Sequence, residues 1–309
     1  QLGAFDTADR YPTDITLQWS DDNSSWTTFG TWSGLTYPGN YTAGPVLTPS
    51  GGGGGSGDPY WANVTLLAHA DGNLTDASPY GHTLLAQGGA SAAASGGVFG
   101  GSLLLTSSGD FVVGPTHSAL SLATGDWTIE LWVKQSSGTV AILVNRAVGT
   151  GFYPYQILVN SDGKIHARGF SDASALVWDV QTSAAISTDT WYYVAVRRNG
   201  SSFELWVDGT LQASATYSGA LYSSGAPALS VGAYDTGSFS LLGRIDDLRV
   251  TAGVARDVSV IPTAPFPTGP VLDGTIVPFD IQSDSITNAT PIQIDGEWVI
   301  RRYDGTSYQ

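Results

Sequence analysis

Residues 127–133 read Trp127-Thr128-Ile129-Glu130-Leu131-Trp132-Val133. In an extended chain Trp127, Ile129, Leu131 and Val133 fall on one face, and Thr128, Glu130 and Trp132 on the other. Related runs return in Tyr192-Tyr193-Val194-Ala195-Val196-Arg197 and Phe203-Glu204-Leu205-Trp206-Val207. Between them stand pairs suited to positive φ: Asn199-Gly200 joins the last two runs, Asp208-Gly209 follows, and Asp162-Gly163 separates Ile157-Leu158-Val159 from Lys164-Ile165. No stretch keeps a helical period over three turns. The pattern predicts roughly a dozen short antiparallel strands. That is an all-β, two-sheet antiparallel jelly-roll sandwich.

Composition agrees. The chain has 309 residues with 39 Gly and 15 Pro, and 12 basic against 27 acidic side chains give a formal charge of -15. Of those 27 acids only Glu130, Glu204 and Glu297 are Glu, which leaves 24 Asp. Asp and Gly favour turns, whereas Glu and Lys favour helices. The acidity excludes a nucleic-acid role, because phosphate recognition is built from clustered Lys and Arg. Without Cys there is neither a disulfide framework nor a thiolate metal site. No apolar run reaches the ~18 residues of a membrane span, and no signal peptide opens the chain, so no membrane insertion is expected. The absence of Met implies that Gln1 is not a natural start.

Glycine and proline divide the chain. Residues 50–57 hold five consecutive glycines, Gly51 to Gly55, and read as a flexible tether. The Pro-rich run 261–270 cannot continue a central strand, since each Pro lacks the ladder donor. The expected organisation is a segment 1–49, the linker 50–57, a body 58–268 and a β tail 269–309.

The body resembles the laminin-G-like, concanavalin-A-like jelly rolls of phage virion and bacterial surface proteins. Its landmarks come in order: Asp58-Pro59-Tyr60-Trp61 through Asp71-Gly72, Asp76-Ala77-Ser78-Pro79-Tyr80-Gly81-His82, Phe99-Gly100-Gly101-Ser102-Leu103, Asp126 to Val133, Trp191 to Arg197, Leu205 to Gly209, and Gly243-Arg244-Ile245-Asp246-Asp247-Leu248-Arg249-Val250-Thr251. Residues 11–28, with Ser20-Asp21-Asp22-Asn23-Ser24-Ser25-Trp26, resemble the middle of a discoidin-like sandwich. Some 49 residues cannot bury such a core alone, so this segment is truncated or packs on a partner. The tail, through Ile294-Asp295-Gly296-Glu297-Trp298, is similar to the short strands that end many phage structural proteins.

Catalysis finds little support. Glycosidases on this architecture use two carboxylates. Here Trp132 follows Glu130 at i+2 and Trp206 follows Glu204, while adjacent Asp246 and Asp247 should point to opposite faces. The four His (69, 82, 117, 166) stand beside no nucleophile elbow. No catalytic residue is therefore assigned.

A hard cation such as Ca²⁺ takes six to eight oxygens, and the resemblance implies a structural site at Asp71, Asp76 and Asp246. The alternative is that Asp71 and Asp76 cap turns. Aromatic and polar residues in expected loops, Tyr153, Tyr155, Trp178, Asp179, Tyr234 and Asp235, are candidates for a glycan edge, the alternative for each ring being core packing. Trp127, Trp132, Trp191 and Trp206 belong to sheet packing.

The resemblance implies a non-enzymatic virion component at the particle surface, whether tail fibre, head fibre or capsid decoration. The jelly roll would meet host-surface glycans, and a flanking segment would attach to other virion proteins in a homo-oligomer, a trimer by analogy with fibres. The alternatives are a glycan-binding module of a bacterial cell-surface adhesin and, remotely, a carbohydrate-active enzyme.

Overall fold

The computed structural model describes residues 57–146, 153–172, 175–223 and 228–270, together with the backbone of four strands outside this body. Most of the glycine tether, Phe152, the 20–26 turn and Asp295-Gly296 lie outside the described residues.

The chain divides into two units, Gly55–Leu272 and a second made of Gln1–Gly54 with Asp273–Gln309. The second contains two antiparallel pairs, β1 (Ile15–Trp19) with β2 (Thr27–Trp32) and β18 (Ala289–Ile294) with β19 (Glu297–Arg302).

The body is two antiparallel sheets. One has seven strands in the order β12 (Leu176–Gln181), β11 (Ile165–Phe170), β10 (Gln156–Val159), β9 (Ala141–Asn145), β16 (Ser230–Val231), β7 (Phe111–Val113), β4 (Leu85–Gln87). The other has eight: β15 (Thr210–Thr216), β14 (Ser202–Val207), β13 (Trp191–Asn199), β8 (Trp127–Gln135), β17 (Gly243–Ala252), β6 (Ser102–Leu105), β5 (Ser91–Ala93), with β3 (Val64–Ala68) also on β17. Helix is confined to two 3₁₀ turns among the described residues, as the Asp- and Gly-rich composition demands.

The alternation in β8 is realised. Trp127, Ile129, Leu131 and Val133 enter the core between the sheets, joining Leu143, Val144, Ile157, Val159 and Ile165. Trp178 stacks on Phe203 with ring centroids 4.8 Å apart, and both pack near Trp127. Gly169 permits this, since a Cβ there would come within 2.4 Å of the Trp178 Nε1. The other face of β8 sends Trp132 into a smaller cluster with Tyr193, Val64, Leu67 and Phe266.

The ends of the body meet. Asp58 forms a parallel bridge with Pro270, and its N–H donates to the Gly269 carbonyl at 2.8 Å. Beneath them lies a buried ionic cluster. The Asp58 carboxylate accepts from Arg249 at 3.0 Å and Arg256 at 2.7 Å. Glu130 Oε2 accepts from Arg249 Nε and Nη2 at 3.0 and 2.8 Å, and Glu130 Oε1 accepts from the Tyr193 hydroxyl. The Phe266 ring covers the Arg249 guanidinium at 3.7 Å. Burial, with the Glu130 charge beside it, pushes the Tyr193 pKa far up, so Tyr193 remains a donor.

Asp246 and Asp247 correct one expectation. A register shift between Asp246 and Arg249 and a φ of +51° at Asp247 make a bulge. Two residues then oppose one, and alternation is interrupted. Asp246 Oδ2 accepts from the Val98 and Phe99 N–H groups, while Asp247 contacts His69 and accepts from the Phe266 N–H. Both carboxylates thus lie on the outer side of the eight-stranded sheet rather than on opposite faces.

Candidate functional site

Register aligns one residue from each of five neighbouring strands of the seven-stranded sheet. Asp179 pairs with Arg168, Arg168 with Gln156, Gln156 with Asn145, and Asn145 with Ser230. Their chain neighbours Val180, Ala167, Ile157, Val144 and Val231 are core residues, so this row points outward.

The side chains at the centre of the row are hydrogen-bonded to one another. Arg168 Nε and Nη2 donate to Gln156 Oε1 at 2.9 and 2.8 Å. Gln156 Nε2 donates to the Tyr234 hydroxyl at 2.9 Å and to Asn145 Oδ1 at 3.2 Å. Arg168 lies 5.7 Å from the centroid of the Tyr153 ring, which abuts Phe170 edge-on at 4.9 Å. Tyr234 meets Phe239 edge-on at 5.8 Å, and Phe239 is 54% exposed at φ +55°. Burial pushes the Tyr153 pKa up to about 12, with Arg168 opposing and Tyr234 and Asp179 adding. Its hydroxyl stays protonated.

His166, one step along β11, has its two ring nitrogens 3.6 Å from Asp179 and 3.7 Å from Asp162. The backbone N–H of Lys164 leads the contacts that hold the Asp162 carboxyl below its ordinary range, so it carries no proton to give at neutral pH. The two strand glutamates are committed elsewhere. Glu130 is in the buried cluster, and Glu204 accepts from Arg197 Nε and Trp206 Nε1, both at 2.8 Å. Gln156 and Asn145 are 0% exposed and Ser230 1%, so they brace the row from beneath, while exposed Asp179 and half-buried Arg168 stand beside partly exposed Tyr234 and exposed Phe239. What this face offers is one carboxylate and one guanidinium beside two rings, the chemistry that meets sugar hydroxyls and C–H faces.

Of the residues expected at a glycan edge, the structure gathers Tyr153, Asp179 and Tyr234 around Arg168 and Gln156. Asp235 is exposed beside Tyr234. Tyr155 and Trp178 are corrected: they are 0% and 2% exposed, both in the inter-sheet core. Tyr155 is tied by its hydroxyl to the Leu120 carbonyl. Tyr153 too is buried, so it supports Arg168 from beneath and offers no open stacking face. Sequence reasoning missed Arg168, Gln156 and Asn145. The outward positions of β11, β10 and β9, each next to a core residue, were the available signal.

Of the expected cation ligands, Asp76 stands apart from Asp71 and Asp246. The Asp76 carboxylate accepts from the N–H groups of Leu67, Ser78 and His82 and from the Ser78 hydroxyl, which spends it on building the turn. Asp71 and Asp246 meet the same glycine-rich loop, Asp71 at the Gly101 N–H and Asp246 at Val98 and Phe99. Burial pushes the Asp246 pKa up to about 6 against those two N–H groups, with Asp247 and Asp71 adding. Among the described residues no three His, Asp or Glu side chains are grouped to hold a metal ion.

Comparison with known proteins agrees with the architecture. Residues 107–257 match the family described as the concanavalin A-like lectin/glucanases superfamily. No curated protein sequence matches the chain. Similar solved structures include the receptor-binding domain of botulinum neurotoxin C/D mosaic serotype, with TM-score 0.51 and 15% identity over 64% of this chain and 49% of that one. The binding domain of Paraclostridial Mosquitocidal Protein 1 gives 0.51 and 16% over 65% and 52%. The botulinum neurotoxin serotype D ligand-binding domain in complex with N-acetylneuraminic acid gives 0.51 and 14% over 65% and 50%. The chain spans about half the length of these structures, and at this identity the likeness is one of fold.

Proposed function

We propose that this lectin-like sandwich is a non-catalytic glycan-binding module, and that the outer face of the seven-stranded sheet is its binding surface. The observation that carries the reading is the exposed end of the row, Asp179 beside Arg168, which buried Gln156 holds in place, with Tyr234 and exposed Phe239 at its side. Glycan complexes of a neighbouring fold, such as that with N-acetylneuraminic acid, are consistent with it. A glycan array on the wild type, Arg168→Met and Phe239→Ala tests it. Each substitution is expected to weaken the wild-type hits at least tenfold, while melting shifts by no more than a few degrees. Hits that both variants retain in full would sink the assignment of this face.

The finer reading is display on a bacteriophage particle, with the body carried by the unit formed from the flanks. The alternative, a module of a secreted or surface bacterial protein, is favoured by the toxin receptor-binding domains among its structural neighbours. Solution mass separates them: a trimer supports the virion reading, and a monomer at high concentration supports the alternative.

A further inference from the structure

The outer face of the eight-stranded sheet carries a second row that the proposed function does not use. Trp191 of β13 pairs with Lys134 of β8, and Lys134 pairs with Arg244 of β17. All three alternate with inward Tyr192, Val133 and Ile245, so they share the outer face. Like charges opposite one another in a sheet repel. Here the cost falls in a chain with 27 acids and only 12 bases, where a carboxylate partner would be easy to supply. Yet among the described residues neither Lys134 nor Arg244 has a carboxylate within 4.0 Å. Asp246, two positions from Arg244, turns its carboxylate to the 98–99 loop instead.

Beside Arg244 is a cleft of about 300 Å³ at the ends of β6, β8 and β17. Leu104 and Leu242 give it apolar surface, Thr106, Ser136 and Ser137 give hydroxyls, and Arg244 gives the cation. Its base is a close approach of two strands: a Cβ on Gly243 (φ +152°) would lie 2.1 Å from the Lys134 carbonyl. Arg244 is held by Nη1, which donates to the Ser95 carbonyl at 3.1 Å and the Ser102 hydroxyl at 2.7 Å. Its Nε and Nη2 have no hydrogen-bond partner among the described residues. The Lys134 ammonium sits 5.2 Å from the centroid of the Trp191 ring. A pocket of ~300 Å³ is at the small end of the ligand range. The remaining Nε and Nη2 edge of Arg244 is the geometry that grips a carboxylate with two parallel bonds.

We infer that this cleft binds a carboxylate-bearing sugar, a uronic acid unit of an acidic polysaccharide. Arg244 holds the carboxylate, Lys134 adds charge, the serine and threonine hydroxyls meet ring hydroxyls, and Trp191 offers a stacking face to the next sugar along the row. The site is separate from the proposed surface on the other sheet and stands without it.

The test is titration of the full chain with glucuronate and, separately, glucose, followed by NMR. Glucuronate is expected to shift resonances of Ser136, Ser137 and Arg244, with glucose at least tenfold weaker and the shifts fading in high salt. Arg244→Gln should weaken glucuronate at least tenfold, and Lys134→Gln by less. Because Arg244 also ties the 95–102 loop, Ser137→Leu provides an independent block by filling the cleft. Lys164→Gln, which changes net charge equally on the other sheet, should leave binding unchanged. Equal binding of glucose and glucuronate, no binding of glucuronate, or binding that survives both Arg244→Gln and Ser137→Leu overturns the site.

Discussion

Replacing Arg249 by Met keeps the aliphatic stem and deletes the guanidinium at the centre of the buried cluster. In the native fold this group gives two hydrogen bonds to Glu130 and one to Asp58, at 2.8 to 3.0 Å, beneath the Phe266 ring. Arg256 would remain on Asp58 at 2.7 Å, but it lies 3.9 Å from Glu130. Glu130, 2% exposed, would then keep a single good bond from Tyr193. Leaving a buried charge without its partner costs about 3 to 5 kcal/mol. In a body of this size, 1 kcal/mol corresponds to roughly 2 to 4 °C, so the melting temperature should fall by roughly 6 to 20 °C. Calorimetry at pH 7 measures the fall. Pairing Arg249→Met with Glu130→Gln should recover part of it, because the orphaned charge is then gone. A loss under ~1 kcal/mol, or no recovery in the double variant, would refute the view that Glu130 needs Arg249.

Three further outcomes follow from particular residues. Asp246 has its folded pKa raised to about 6 from 3.8, so its contribution is full below pH 4 and is lost as pH rises through 6. His69 acts in the same direction: burial is the largest influence and opposes its protonation, but the bond to Asp247 together with the charges of Asp247, Asp71 and Asp246 outweighs it and raises the pKa. Asp246→Asn should therefore match wild type near pH 4 and exceed it at pH 7 by up to about 3 kcal/mol, as two denaturation series would show; a variant less stable at pH 7 contradicts this. Trp178→Ala should cost about 3 to 5 kcal/mol by urea unfolding, whereas exposed Asp235→Ala should stay within about 0.5; similar small losses would return Trp178 to the surface. Millimolar Ca²⁺ or EDTA should leave the melting temperature within about 1 °C, since Asp76 is spent on its turn; a rise of several degrees with Ca²⁺ would show that Asp71 and Asp246 do take a cation.

The alternation in residues 127–133 carried the fold because one face of β8 is buried on a large apolar core, so a period of two is enforced over the whole strand. The same reasoning erred for Asp246 and Asp247, where a bulge stabilised by His69 and Phe266, both distant in sequence, suspends the period. At the candidate site Tyr234 and Asp179 were legible as polar or aromatic groups near turns. Tyr155 and Trp178 were misplaced because loop-like composition around them hides strands β10 and β12: Trp178 takes an inward position of β12, and Tyr155, just before β10, continues the inward face of Ile157 and Val159. Arg168, Gln156 and Asn145 escaped notice for the converse reason: each is an ordinary strand residue alone, and only the register across three strands makes them a row.

The parallel bridge between Asp58 and Pro270 bears on how the body carries load. Both ends of the sandwich leave from one point, so a pull on a bound ligand runs through the sheets to that single anchorage. Asp58 is the residue there, and it is clamped from within by Arg249 and Arg256, which root it in β17 and the segment after it. Tension that reaches Asp58 is therefore delivered to a buried ion cluster and spread over the middle of the larger sheet.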